Sequence, residues 1–361
     1  MEYISRILIL ILVSAIYIGP AYGMHRLIIS MFPKFYGLSL TTLTLGLMTF
    51  PLGNFLVRWK LNRWTSFVEL LGGIFLYVYT FAAIFWFIYL FIGNIPLVYK
   101  NRITIVTVYF FVVGILGILG YYRAHDIRGT KYALKNPDIS KNMKILMFAD
   151  IHLSQISKED ILKKIAKIIE DKKPDLILVA GDVVDTDTKL IRYDYTEDFK
   201  SIKAPLGVYA SIGNHEYYGD LTQNIKYLED RGFKVLVDKG VDVGDFYIVG
   251  RSYSFEKRAT IEELIKSNIA KKPVIVIDHN PKESDKFMES GSFLQVSGHT
   301  HNGQFFPYNL ITKLMFKPDW GIRTENNSNV ITTCGVGYWG IPIRFPSFAE
   351  VVEIDVIKDN K

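Results

Sequence analysis

Four long apolar stretches open the chain, at about Ile7–Tyr22, Leu38–Val57, Leu70–Ile92 and Ile103–Tyr122. Twenty helical residues rise about 30 Å, the thickness of a bilayer core, and the last three stretches reach that length. The first is shorter, but Arg6 can snorkel and extend it. Pro51 interrupts the second, as a packed membrane helix tolerates. Trp64, Tyr121 and Tyr122 lie near span ends, where an interfacial belt needs them. The pattern predicts four transmembrane helices over residues 1–122. A cleaved signal peptide ending near Ala21-Tyr22-Gly23 is the other reading of the first stretch, and the three spans that follow argue against it.

After the fourth stretch the pattern changes. Residues 123–143 read as a polar, basic linker suited to anionic headgroups. From Lys144, short apolar runs follow at Ile145–Ala149, Leu176–Ala180, Val208–Ile212, Phe246–Val249, Val274–Ile277 and Phe293–Val296, with two more at Val330–Cys334 and Ala349–Val356. Each has strand length and β-branched or aromatic content. Amphipathic helices separate them. One is expected to start at Ser157, with Asp160 closing a capping box, and to face inward with Ile161, Leu162, Ile165, Ile168 and Ile169. A second follows Thr260 with Glu263, and a third spans Leu221–Arg231 before Gly232. Alternating strands and helices predict an α/β domain over residues 144–361.

Composition narrows the function. None of the four spans holds Asp, Glu, Lys, Arg or His. Transporters place ionisable groups inside the membrane, so an anchor or a lipid-facing platform is expected. The net charge of +6 is not gathered into one basic stretch, which disfavours nucleic acid, and nothing points to a protein partner. The single cysteine, Cys334, excludes an intrachain disulfide. Lys and Arg number eight on the side of both termini (Arg6, Arg58, Lys60, Arg63, Arg123, Arg128, Lys131 and Lys135) against four in the other two loops (Arg26, Lys34, Lys100 and Arg102). The positive-inside rule then places both termini, and the α/β domain, on the cytoplasmic side of a multi-pass cell-membrane protein.

Five of the seven histidines fall in short clusters after the predicted strands: Asp150-Ile151-His152, Gly181-Asp182-Val183-Val184-Asp185, Gly213-Asn214-His215-Glu216, Asp278-His279-Asn280 and Gly298-His299-Thr300-His301. Loops at the carboxyl ends of strands carry the sites of α/β folds. His, Asp and Asn suit hard-to-borderline divalent metals. Asp150 and His152 are two apart in an expected extended segment, so their side chains share a face, and His299 and His301 repeat the spacing. The remaining two, His25 and His125, read as loop or linker residues.

In order and spacing, these clusters resemble the calcineurin-like metallophosphoesterase superfamily, over roughly residues 144–356. With the spans, the chain resembles its membrane-anchored bacterial phosphoesterase subgroup. Gly-His-Thr-His-Asn-Gly-Gln and Gly340-Ile-Pro-Ile-Arg344 are similar to that subgroup's C-terminal signatures. Asn302 stands where the subgroup usually has Gly, and a small loop change is expected there.

The resemblance implies a two-sheet β-sandwich flanked by helices, with two divalent metals (Mn, Fe or Zn) between the sheets. Asp150, His152, Asp182 and His301 would hold the first. Asp182 as a bridge, Asn214, His279 and His299 would hold the second. His215 would be a metal-free acid near the leaving group, with Asp185 behind it. The chemistry expected is in-line attack by a metal-bridging hydroxide. Thr186 and Asp187 replace the Arg-Gly that protein phosphatases of the superfamily carry after this Asp, which argues against that class.

A membrane-tethered site suggests a phosphodiester or pyrophosphate of a lipid or lipid-linked substrate. Phe305, Phe306, Trp320, Tyr338 and Trp339 are expected either to rim the site or to pack a sheet, and Arg323 and Arg344 are candidate phosphate contacts. The alternatives are a phosphomonoesterase or nucleotide phosphodiesterase with a soluble substrate, a non-catalytic metal or nucleotide sensor, and a transporter with an attached hydrolase.

Overall fold

The structure is a computed structural model. It describes residues 19–37, 63–157, 159–253 and 258–359, with positions 46, 49, 52 and 56. The chain forms two compact units, Met1–Ile118 and Leu119–Lys361.

In the first unit, residues 19–31 are helical and place Met24 and Leu27 against Ala82 and Phe85. Helix α1 spans Arg63–Ile92, and helix α2 spans Arg102–His125, ending inside the second unit. Both are long and apolar enough to cross a membrane, over Trp64–Ile92 and Arg102–His125. They coincide with the third and fourth predicted spans. The first two predicted spans lie mostly outside the described residues.

The second unit holds two mixed six-stranded sheets. The first runs β1 (Ile127–Asn136), β12 (Ala349–Lys358), β2 (Met143–Phe148), β3 (Leu176–Ala180), β4 (Val208–Ser211), β5 (Lys234–Val235). The second runs β10 (Gly321–Glu325), β11 (Ser328–Thr332), β9 (Leu294–Ser297), β8 (Val274–Ile277), β7 (Phe246–Gly250), β6 (Lys239–Val243). Their facing sides share one core. Ile145, Met147, Leu176 and Leu178 meet Ile248, Ile275, Ile277 and Val296 there. Alternate residues such as Leu146 and Phe148 point away and pack beneath helix α3 (Ile161–Lys172) with its Ile161, Leu162, Ile165 and Ile169. Covering on both faces explains why β2 and β3 read as unbroken apolar runs.

Three expectations change. Residues 127–136 are not a linker: β1 pairs in parallel with β12 over its whole length. Its Tyr132 and Leu134 add to the shared core, and a charged outer side is what an edge strand needs. Helix α3 does not start with a box at Ser157. Ser157 Oγ donates to the Ser154 carbonyl at 2.8 Å, and Asp160 pairs instead with Lys164 at 3.0 Å. Helix α4 (Leu221–Glu229) ends two residues early. The Thr260–Glu263 box does form, at the start of helix α5 (Ile261–Ile265).

Candidate metal centre

Each cluster follows a strand of the two sheets, so the loops converge on one end of the sandwich. Asp150 and His152 follow β2, Asp182 and Asp185 follow β3, and Asn214, His215 and Glu216 follow β4. His279 follows β8, and His299 and His301 follow β9. The Asp150–His152 segment is not extended. Both residues have positive φ, as do Asp182, His299 and His301, at 56°, 51°, 52°, 71° and 50° in that order. This left-handed region is uncommon outside glycine, and Asn, Asp and His are the side chains that enter it most readily. Asn302, at φ 47° and ψ 45°, takes the same conformation, so the residue that departs from the subgroup's Gly is one that suits the turn.

Backbone contacts lock these turns. The Asp150 amide donates to the Gly181 carbonyl and the His152 amide to the Asp182 carbonyl, both at 3.0 Å. Glu216 is the hub, with amides of Gly213, Asp182, Val183 and Val184 donating to its carboxylate at 2.8, 3.1, 2.7 and 3.0 Å. It ties the Gly-Asp and Gly-Asn-His turns together. Its motif position was visible in the sequence, but its positioning role was not. Gly213 is required by close approach, since a Cβ there would lie 2.1 Å from Asp182 Oδ1.

Among the described residues three groups of ligand type result: Asp150 with His152 and His301, Asp182 with His279 and His299, and His152 with Asp185 and His215. In the first, His152 Nε2 and His301 Nε2 are 3.1 Å apart, and His301 Nε2 is 3.5 Å from Asp150 Oδ1. In the second, His279 Nε2 is 3.1 Å from Asp182 Oδ2, and His299 Nδ1 is 2.9 Å from Asn214 Oδ1. Asp182 Oδ2 also lies 3.9 Å from His152 Nε2, between these two groups. The i, i+2 spacing of His299 and His301 therefore sends them to different groups.

The donors fit divalent metal. His279 Nδ1 meets the Ala180 carbonyl at 2.6 Å, which leaves the Nε2 lone pair pointing into the site. That Nε2 is buried and faces Asp182 Oδ2. Donor atoms about 2.1 Å from one ion sit roughly 3 Å from each other, close to the spacings seen here.

Electrostatics agree. Burial opposes charge on His279, yet Asp182 and Asp150 raise its pKa to about 10, and the same field attracts any cation. Against burial, His279 and His215 hold Asp182 well below the carboxylate range. Burial, reinforced by His279, lowers His299 to about 3. Burial and the Arg344 guanidinium push His301 far down. These last two stay neutral, as ligands must.

His215 stands beside the first two groups. Its Nδ1 is 2.7 Å from the Asp185 carbonyl and 3.1 Å from Asp185 Oδ1. Burial would lower its pKa, but Asp182 and Asp185 raise it to about 9. Asp185 Oδ1 also lies 3.0 Å from His152 Nδ1, so it orients a candidate ligand histidine as well.

Neither arginine takes the expected place. Arg344 is fully buried. Its guanidinium donates to the Cys334 and Phe348 carbonyls at 2.6 and 3.0 Å and to His301 Nδ1 at 2.9 Å, so it supports a ligand and does not face substrate. Arg323 lies on strand β10 and is paired with Asp285 and Glu325 at 2.5 and 2.7 Å. Of the aromatic set, Phe305 and Tyr338 are buried, and Phe306, Trp320 and Trp339 are exposed.

Residues 143–303 match the calcineurin-like phosphoesterase family. An uncharacterized metallophosphoesterase of Aquifex aeolicus is 30% identical over 260 residues, covering 68% of this chain and 98% of that protein. This chain is a calcineurin-like metallophosphoesterase. The metallophosphoesterase is also similar to YkuE of Bacillus subtilis, an uncharacterized metallophosphoesterase, with 27% identity over 68% of this chain and 90% of that one. A transmembrane protein with metallophosphoesterase domain from Danio rerio is 26% identical over 61% of this chain and 54% of its own length.

Proposed function

We propose that this metallophosphoesterase is a membrane-anchored hydrolase that cleaves a phosphodiester or pyrophosphate bond of a lipid or lipid-linked substrate, using two divalent metal ions. The observation that carries the reading is the pair of ligand groups with Asp182 between them. Asp150, His152, Asp182 and His301 would hold one ion, and Asp182, Asn214, His279 and His299 the other. Bound there, the ions supply Lewis-acid activation of water and neutralise charge on the phosphoryl oxygens. His215, whose Nδ1 faces the Asp185 carbonyl and carboxylate, can deliver a proton to the leaving oxygen. Asp185 orients that ring and favours its charged form.

The membrane part of the reading is supported by two apolar helices of spanning length, whose Phe91 and Phe111 are 74% and 68% exposed, and by relatives named as transmembrane proteins. A lipid solvent accounts for such exposure where water does not. Anchoring raises the local concentration of lipid substrates at the site.

The test is a screen of the purified full chain with Mn²⁺, Fe²⁺ or Zn²⁺ over chromogenic mono- and diesters and a panel of phospholipids and lipid pyrophosphates. Hydrolysis is expected to need metal and to vanish in Asp182→Asn. Faster turnover of soluble esters than of every lipid would remove the lipid reading. Unchanged hydrolysis in Asp182→Asn would remove the bridged site.

A further inference from the structure

Helix α6 (Tyr308–Met315) turns an apolar face outward beside the metal centre. Leu310, Ile311, Leu314 and Met315 are 51, 48, 86 and 64% exposed, and none of the helix's residues is buried. Positions i, i+1, i+4 and i+5 share one side of a helix. A surface helix of a water-soluble domain would present polar residues there. From Gln304 to Pro318 the charged residues are Lys313 and Lys317, both exposed, and Asp319 follows, accepting from Thr312 Oγ1 of the helix at 3.1 Å. An apolar stripe with flanking lysines is the composition of a helix lying in the plane of an anionic bilayer.

Contacts at both ends of α6 fix where this face lies. At its C-terminal end, the Phe316 ring stands edge-on to His299, with centroids 5.9 Å apart. At the other end, the Phe306 amide donates to the Phe345 carbonyl at 2.8 Å and the Phe345 amide to the Gln304 carbonyl at 3.0 Å. Gln304 Nε2 donates to the Trp339 and Ile341 carbonyls at 2.9 and 3.1 Å. The same segment holds the last turns of α2: the Arg344 amide donates to the Gly120 carbonyl at 3.0 Å, and Arg123 donates to the Pro346 carbonyl at 2.8 Å. One hydrogen-bonded run thus joins the end of a helix of spanning length to the start of α6.

We infer that α6 is a bilayer-docking helix. Its Leu310, Ile311, Leu314 and Met315 face enters the interface of an anionic membrane and sets the His299 side of the metal centre against lipid headgroups. The inference rests on the membrane anchoring proposed above.

The experiment uses the full chain reconstituted in vesicles of phosphatidylcholine with a minority of phosphatidylglycerol. An environment-sensitive fluorophore is attached at Leu314→Cys or, as a control, at Ile269→Cys, which is 92% exposed. The native Cys334 is buried and stays in place. The Leu314 probe is expected to be quenched severalfold more by spin-labelled lipid, and severalfold less by aqueous iodide, than the Ile269 probe. If vesicle flotation shows the chain membrane-bound while the Leu314 probe behaves like the control, the docking helix is overturned and the anchor stands. Iodide protection without lipid quenching means that protein, such as a second copy, covers the face, and also overturns it. A chain that does not float removes the anchor and the inference together.

Discussion

Asp185 serves two histidines with one oxygen. Its Oδ1 meets His152 Nδ1 and His215 Nδ1, and against burial those bonds hold its pKa below the ordinary carboxylate range. One of these rings belongs to a candidate ligand group and the other is the proton donor proposed above, so the two roles separate by mutation. His215→Ala is expected to keep the metal content measured by elemental analysis. It should lower kcat by about 10²–10⁴-fold for poor leaving groups and much less for nitrophenyl esters. Wild-type turnover of an alkyl ester by the variant would exclude His215 as the proton donor. Residue types and order made the candidate ligand residues legible in the sequence, because metal chemistry admits few side chains. Arg344 was not legible. An arginine in a Gly-Ile-Pro-Ile-Arg loop reads as exposed, and only the folded chain brings the Cys334, Gly337 and Phe348 carbonyls and His301 around it.

At the scale of elements, the buried strands were legible and the edges were not. The eight expected runs all form strands, since burial on both faces leaves a dense apolar signal. β1, β6 and β10 lie at sheet edges, where charged residues alternate with apolar ones and dilute it. In β1 the two-residue period of Thr130, Tyr132, Leu134 and Asn136 was present but masked by its lysines. Another feature hidden from the sequence is the ionic network behind β7 and β8. Arg251 and Arg258 each contact Asp278 and Glu283 at 2.7–2.9 Å. It braces the loop that carries His279. Partial burial would raise the Glu283 pKa, but Lys286, Arg258 and Arg251 lower it from 4.5 to about 2. A depressed carboxylate contributes stability above its unfolded pKa and loses it as pH falls through the folded one. The contribution is therefore full above about 4.5 and gone below about 2. Glu283→Gln should cost about 1–2 kcal/mol at neutral pH, allowing for solvent screening, and flatten urea-derived stability across that window. An unchanged pH slope would show that the network contributes nothing.

For the whole molecule, metal binding and folding are linked. A ligand that binds only the folded state stabilises it by about 2.7 kcal/mol at one hundred times its Kd. Chelation should lower the Tm of the wild-type chain, and Mn²⁺ should restore it. Asp182→Asn should show a much smaller response in the same calorimetric scans. A Tm indifferent to chelator in the wild type would deny metal any place in the folded state. The two-part organisation was legible from the change in apolar pattern near residue 122, but the boundary of the second unit was not. It begins at Leu119, because the end of α2 and the strand after it belong to that unit's own hydrogen bonding.

The left-handed backbone at five candidate ligand positions also bears on how such a chain would change over generations. Each such residue costs about 1 kcal/mol relative to glycine, and selection for chemistry is what retains it. Freed from that selection, these positions would drift towards Gly or Asn and would refuse Val, Ile or Thr. A descendant that had lost its reaction could then be sturdier than its working ancestor. Its history would be readable as small, turn-loving residues at positions 150, 152, 182, 299 and 301.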